Sequence, residues 1–235
     1  MKNGSIITIE NLVKRFPMGG GKFTALNDIS LHFEKGEFSG IVGPSGSGKT
    51  TLLNILGSLD TPSEGETRVL GTSSEQMNPK VAATLRKKHI GFIFQTYNLM
   101  PVYTVYENVE FPLLLLKMPA SDRKKAVLEA LEWVGLTDKI KSKPPQLSGG
   151  ESQRVAIARA MVKIPDLVLA DEPTANLDAE NSHHILQTME KLNKDLQTTF
   201  VFATHDDKVI TYLRRIIRLE DGQVVSDDHV KTQEP

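Results

Sequence analysis

The sequence predicts an α/β fold: a mainly parallel sheet, preceded by an N-terminal antiparallel β region and interrupted by an inserted helical block. Three observations predict it. Short apolar runs at 38–42, 90–94, 167–170, 200–203 and 216–219 alternate with helical spacings such as Ile185, Leu186, Met189 and Leu192. Strands separated by helices of this kind pair in parallel, because each crossover returns the chain to the same edge. Near the start, Ile7, Ile9, Leu31 and Phe33 share one parity and are punctuated by Gly19, Gly20, Gly21 and Gly36, the pattern of a small antiparallel sheet. Between Gln95 and Ile164 the strand signal disappears, while Val127, Leu131 and Val134 follow helical spacing and close on Gly135.

The elements follow in order. The first strands form a platform, and 38–42 runs into a glycine-rich turn and then 51–56, where Leu52, Leu53 and Leu56 fit one helical face. We therefore divide a single 235-residue domain into a core of 1–95 and 165–235 and a helical lobe of 96–164. The tail after Ser226 is polar and is expected to be loosely ordered.

Bulk properties narrow the function classes. The chain has no cysteine, so disulfides and thiolate metal sites are excluded, and a reducing compartment is compatible. With 28 basic against 29 acidic residues the net charge is -1, which gives no overall field toward nucleic acid or an anionic membrane, so no nucleic acid partner is expected. The first nine residues lack the charged and long apolar regions of a secretion signal. The longest apolar stretch, 111–116, contains Pro112 and is far short of the ~20 residues that a spanning helix needs. If the protein serves a membrane, another chain is expected to cross it.

Gly43-Pro44-Ser45-Gly46-Ser47-Gly48-Lys49-Thr50 matches a phosphate-binding loop and lies between a predicted strand and helix, as that chemistry requires. Glycines let backbone N–H groups close on phosphate oxygens, and the following helix N-terminus, which includes Thr51, adds partial positive charge. Lys49 would reach the β- and γ-phosphates of a nucleotide, and Thr50 would offer a hydroxyl to Mg²⁺. The rival reading is a flexible glycine turn, disfavoured by the strand-helix context.

The strand 167–170 ends in Asp171 and Glu172, at the carboxyl edge where open α/β sheets bind ligands. Asp171 is assigned to Mg²⁺, and Glu172 to polarising the water that attacks the γ-phosphate. A solvated acidic loop is the alternative for an isolated pair. Thr204-His205-Asp206 ends the next strand, so His205 is placed to bond the γ-phosphate and orient water. Gln95 follows the strand 90–94, where an amide can ligate Mg²⁺ and sense the γ-phosphate.

The deciding segment is Leu147-Ser148-Gly149-Gly150-Glu151 with the helical stretch 152–161. Ser148 is a helix cap and the glycines bare its N–H groups, making a second anion site. Here the sequence resembles the ABC (ATP-binding cassette) ATPases, whose signature reads Leu-Ser-Gly-Gly-Gln, over essentially its whole length. The resemblance implies the ABC ATPase fold and a head-to-tail pair of cassettes, each signature closing on the γ-phosphate held by the other's loop. It further implies that Phe16 stacks on adenine, that Gln95 and His205 are the family's glutamine and switch histidine, and that Asp178, in Ala175-Asn176-Leu177-Asp178, crosses to the other cassette. Glu151 departs from the usual glutamine and Phe16 from the commoner tyrosine. A carboxylate in the first helical turn suits the dipole and is expected to point away from phosphate, and stacking needs only a ring.

Leu59-Asp60-Thr61-Pro62, the segment 92–101 and Glu107-Asn108-Val109 resemble the branch of lipoprotein-releasing, macrolide-exporting and cell-division ATPases. That resemblance implies a separate membrane permease subunit and a place on the cytoplasmic face of the inner membrane. The Met-, Leu- and Tyr-rich residues 95–116 are the candidate docking surface, with the core of the helical lobe as the alternative. A GTPase is disfavoured because Asn193-Lys194-Asp195-Leu196 lacks the final aspartate of a guanine-selecting motif. The remaining rival is a soluble ABC ATPase without a membrane partner.

Overall fold

The structure is a computed structural model and describes residues 4–230. In chain order the strands are β1 (Ser5–Met18), β2 (Gly21–Glu34), β3 (Phe38–Val42), β4 (Glu64–Val69), β5 (Thr72–Ser73), β6 (Ile90–Ile93), β7 (Leu167–Asp171), β8 (Thr199–Thr204), β9 (Arg215–Glu220) and β10 (Gln223–His229). The helices are α1 (Lys49–Leu56), α2 (Pro79–His89), α3 (Val105–Leu115), α4 (Ala120–Trp133), α5 (Gly149–Met161), α6 (Ala179–Leu196) and α7 (Asp207–Ile210).

Two sheets form. The first is antiparallel, in the order β2-β1-β4-β5, and begins as a long hairpin around Gly19 and Gly20. The second runs β10-β9-β3-β8-β7-β6; all its pairings are parallel except that of β10 with β9. Strand periodicity sorts its side chains onto two faces. Phe38, Val168, Ala170, Phe200 and Phe202 pack with α3, α4, α5 and α6, while Ile41, Leu167, Leu169, Val201 and Ala203 pack with α1 and the antiparallel sheet. Continuous apolar strands are what a sheet covered on both faces needs. On the helical face Phe38 meets Phe202 edge-on, with ring centroids 4.8 Å apart.

The predicted strands and helices are present with small shifts. β6 stops at Ile93, one residue before the expected end, and α1 starts at Lys49 rather than Thr51, because Gly48 takes the N-cap position. The expectation of loose order after Ser226 is corrected over 226–229: β10 continues to His229, paired with β9 and tied by Asp227, whose carboxylate receives both Nε and Nη2 of Arg215 at 2.7 Å. The final residues, 231–235, lie outside the described residues, as do the first three residues of the segment read for a secretion signal. The strands β4, β5 and β10 and the helices α2, α3 and α7 were not anticipated. The first of these helices has only Ala82 and Leu85 buried, so it carries little periodic signal.

The C-terminal end of α2 is held by one side chain. Lys163 donates from Nζ to the carbonyls of Arg86, Lys87 and Ile90 at 2.5, 3.1 and 2.8 Å, satisfying helix-end acceptors that lack intrahelical partners. Lys163→Met removes all three bonds. Urea unfolding of this variant is expected to show a loss of about 1–3 kcal/mol, the cost of leaving such groups unmade. An unchanged midpoint would refute the capping role.

Candidate nucleotide site

Parallel pairing sends the loops after β3, β6, β7 and β8 to one edge of the sheet, where a cleft of about 480 Å³ opens. Its walls include Phe16, Ser45, Gly46, Gly48, Lys49, Thr50, Thr51, Gln95, Asp171, Glu172 and His205. A cleft of this size lies within the ordinary range for small-molecule sites, about 300–1,000 Å³.

The loop after β3 is shaped by its glycines. Gly48 has φ 105, and a Cβ there would lie 2.7 Å from the Ala25 carbonyl oxygen, so no other residue fits without displacing backbone. The same crowding applies at Gly43, where a Cβ would lie 2.0 Å from the Leu219 carbonyl oxygen. Lys49 is buried and turns into the loop, its Nζ donating to the carbonyls of Gly43 and Pro44, each at 2.8 Å. An ammonium held there by carbonyls, next to the N-terminus of α1, makes a ready anion site. Ser47 is buried with an unpartnered Oγ, and Pro44 and Ser45 form the exposed rim.

The acidic edge is as specific. Thr50 Oγ1 donates to both carboxylate oxygens of Asp171, at 3.2 and 3.1 Å. Burial pushes the Asp171 carboxyl above its ordinary range, and the Thr50 hydroxyl partly offsets this. Together with the Gln95 amide, these groups present oxygen donors only, the set that suits a hard cation retaining several waters. Among the described residues no cluster of three or more His, Cys, Asp or Glu could hold a metal by itself. The donors of Thr50, Asp171 and Gln95 fit a hard cation such as Mg²⁺.

Glu172 has φ 46, and its N–H donates to the Ala203 carbonyl at 2.9 Å, fixing the carboxylate beside β8. Its Oε1 lies 2.6 Å from His205 Nδ1, and its Oε2 accepts from Thr204 Oγ1 at 3.1 Å. Both oxygens are thus engaged. At the opposite end of the cleft Phe16 faces Phe23 across the β1-β2 hairpin, and both rings are exposed to the cleft. The Lys14 ammonium, paired with Asp60 at 2.5 Å, sits 5.0 Å from the Phe16 ring centroid.

The signature residues lie elsewhere. None of Ser148, Gly149, Gly150, Glu151 and Asp178 lines the cleft. Ser148 caps α5, with Glu151 N–H donating to its Oγ at 3.2 Å and its own N–H donating to Glu151 Oε2 at 2.8 Å. The Glu151 carboxyl is held below its ordinary range by that N–H and by Lys139, 3.0 Å away. It turns back along its own helix end, as a first-turn carboxylate is expected to do. Asp178 caps α6 by accepting from Asn181 N–H at 2.8 Å. The two helix starts touch: a Cβ on Gly150 would come within 2.4 Å of Asn181 Oδ1. Ser148, Gly149 and Asp178 are exposed on this second surface.

Sequence reasoning missed Phe23 and gave no role to Asn176 and Thr204, which it quoted only beside Asp178 and His205. Phe23 was findable, since it sits as far beyond the Gly19-Gly20 turn as Phe16 precedes it. Asn176, which donates to the Gln95 carbonyl at 2.9 Å, left no signal in a single sequence. The stretch read as either docking surface or core divides: Val105, Val109 and Leu113 are fully buried, while Phe111, Leu114 and Leu115 are exposed. Phe111 and Leu115 join a second hollow of about 520 Å³, lined also by Phe92, Phe94 and Met100 and by Arg86, Lys87, Arg159 and Lys163.

A model of the ABC transporter family matches residues 26–175. The chain is 41% identical over 230 residues to an ABC transporter ATP-binding protein of Methanocaldococcus jannaschii, covering 96% of this chain and 98% of that one. It is 43% identical to the lipoprotein-releasing system ATP-binding protein of Francisella tularensis, covering 94% and 96%. A macrolide export ATP-binding/permease protein of Burkholderia thailandensis is 41% identical over 222 residues, and the chain spans 34% of that protein's length. A solved dimer of the Methanocaldococcus cassette, in a post-hydrolysis state bound to ADP and Pi, superposes with a TM-score of 0.89 at 41% identity, covering 96% of this chain and 99% of that one.

The two rings predict a measurable contribution to nucleotide binding. Base-aromatic stacking is worth about 1–3 kcal/mol by alanine substitution. Phe16→Ala is expected to weaken ATP binding about tenfold in equilibrium dialysis without Mg²⁺, and Phe23→Ala about threefold, with Phe23→Tyr recovering most of the loss. Unchanged affinity in both alanine variants would remove the rings from the base site.

Proposed function

The chain belongs to the ABC transporter family, and on that premise we propose that two copies close head to tail around two Mg-ATP and drive a separate membrane permease. It is an ATP-binding, ATP-hydrolysing cassette. The observation that carries the fuller reading is the division of its two anion sites between two surfaces. Lys49 and the N-terminus of α1 face the cleft, whereas Ser148 and Gly149 stand exposed outside it. A second copy supplies what the cleft lacks.

In this reading the backbone of the 43–48 loop and Lys49 hold the β- and γ-phosphates, Phe16 and Phe23 hold the base, and the partner's Ser148 and Gly149 close over the γ-phosphate. Thr50, Asp171 and Gln95 are the residues that would hold Mg²⁺, which supplies charge neutralisation on the phosphate oxygens. Glu172 polarises the attacking water and His205 orients it against the γ-phosphate. The bond from the γ-phosphorus to the bridging oxygen breaks, leaving ADP and phosphate. Asp178 meets the opposite cassette beside that site.

The groove at Phe92, Phe94, Met100, Phe111 and Leu115 is the proposed seat of a short cytoplasmic helix of the permease. Its apolar floor suits a helix face, and its basic rim suits an acidic or carbonyl-rich helix end. Among the described residues no helix is long and apolar enough to cross a membrane, so residence on the cytoplasmic face would come through that partner. The similarity to lipoprotein-releasing and macrolide export proteins supports export, extraction or transmitted motion as the work performed. The helical lobe, 96–164, carries the signature, and it shares the groove with the core, which contributes Phe92 and Phe94.

Glu172→Gln is expected to retain ATP binding, lose turnover by about a hundredfold or more, and accumulate as a Mg-ATP dimer in size-exclusion chromatography. A variant that stays monomeric counts against the closed pair. Lys49→Ala is expected to weaken ATP binding about tenfold to a hundredfold, the scale of one or two charge-assisted hydrogen bonds; unchanged affinity refutes its role. Pull-down of tagged Glu172→Gln chain from mild-detergent membranes with Mg-ATP should recover a membrane protein. Recovery of soluble partners alone would favour an ABC ATPase that works without a permease.

A further inference from the structure

The segment from Gln95 to Asn98 joins the cleft to the groove: Gln95 lines the first and Asn98 the second. Its backbone is unusual. Tyr97 and Asn98 are consecutive non-glycine residues with φ 58 and 49, a left-handed pair that persists only where surroundings enforce it. The enforcing group is Arg159, in the last turns of α5. Its Nη1 donates to the Asn98 carbonyl at 2.6 Å and its Nη2 to the Tyr97 carbonyl at 2.7 Å. A planar guanidinium fork fixes two adjacent carbonyls in one geometry, which a single-point donor does not do. The guanidinium is largely withdrawn from water, and burial lowers its pKa, so these carbonyls substitute for its hydration.

The neighbouring contacts make the segment a junction. The Gln95 carbonyl is held from the other side by Asn176 Nδ2, and the Tyr97 hydroxyl lies beside the signature, 3.1 Å from where a Cβ on Gly149 would be. Arg159 itself lines the groove. We propose that Arg159 is a positioning residue that pins the 97–98 carbonyls and thereby holds the Gln95 side chain in the nucleotide cleft. This rests on the reading of the cleft as an ATPase site.

The test is a double-mutant cycle in the full chain between Arg159→Leu and Gln95→Ala, reading kcat for Mg-ATP, equilibrium ATP affinity without Mg²⁺, and melting temperature. Arg159→Leu is expected to lower kcat about tenfold while ATP affinity without Mg²⁺ stays within about twofold, because the phosphate loop and Phe16 are untouched. In the Gln95→Ala background the same substitution is expected to have little further effect, since residues acting as one unit are non-additive. Arg159→Lys keeps the charge but not the fork and is expected to lower kcat by about threefold; it carries the test if the leucine variant does not fold. Unchanged kcat in Arg159→Lys and Arg159→Leu, or fully additive losses with Gln95→Ala, overturns the proposal. Absence of Mg-ATP turnover in the unmodified chain would instead overturn the ATPase reading.

Discussion

Parallel pairing of β3 with β8, and of β8 with β7 and β7 with β6, is the constraint on which the rest of the molecule depends. Parallel strands all end on one side, so the loops that carry Lys49, Gln95, Glu172 and His205 leave from a single edge without any loop having to reach across the sheet. That arrangement has structural conditions. Each crossover needs a helix, both faces must be covered, and the interior strands must be apolar throughout. The buried rings of Phe38, Phe200 and Phe202 meet the last condition on the helical face.

The same constraint explains why one chain holds only half of the proposed machinery. A helix N-terminus binds anions well when its N–H groups are free, and α1 directs its own into the cleft. The helix α5 begins elsewhere, capped by Ser148 and adjoining the start of α6 near Asn181. Two positive helix ends on separate surfaces attract a bridging polyanion, and in the proposed pair ATP supplies that charge. Association then follows nucleotide occupancy and does not require a large permanent interface.

Much of this was legible in the sequence because the relevant signals were local. The glycine loop, the acidic strand end and the capped signature each occupy a few consecutive residues, and the five parallel strands were visible as apolar runs. What escaped had a physical reason. In β4 only Thr67 and Val69 are fully buried, and β10 has no buried residue and owes its order to pairing with β9 and to Arg215. Such strands are defined by partners remote in sequence, not by their own pattern. Phe23, Asn176 and Arg159 likewise gain meaning only from what lies opposite them, at a hairpin register or a carbonyl 62 positions away in the chain for the bond to Tyr97.

The engagement of both Glu172 oxygens, one with His205 and one with Thr204, bears on how the protein idles. Each oxygen already accepts one hydrogen bond, which weakens it as an acceptor for a water proton, so under the proposed roles a lone cassette that meets ATP has its base partly engaged. Under the proposed roles, closure of the pair must draw His205 toward the γ-phosphate and free Glu172 in the same movement. Under those roles the fuel is spent on completed closures, and unpartnered copies lose less of it to leakage.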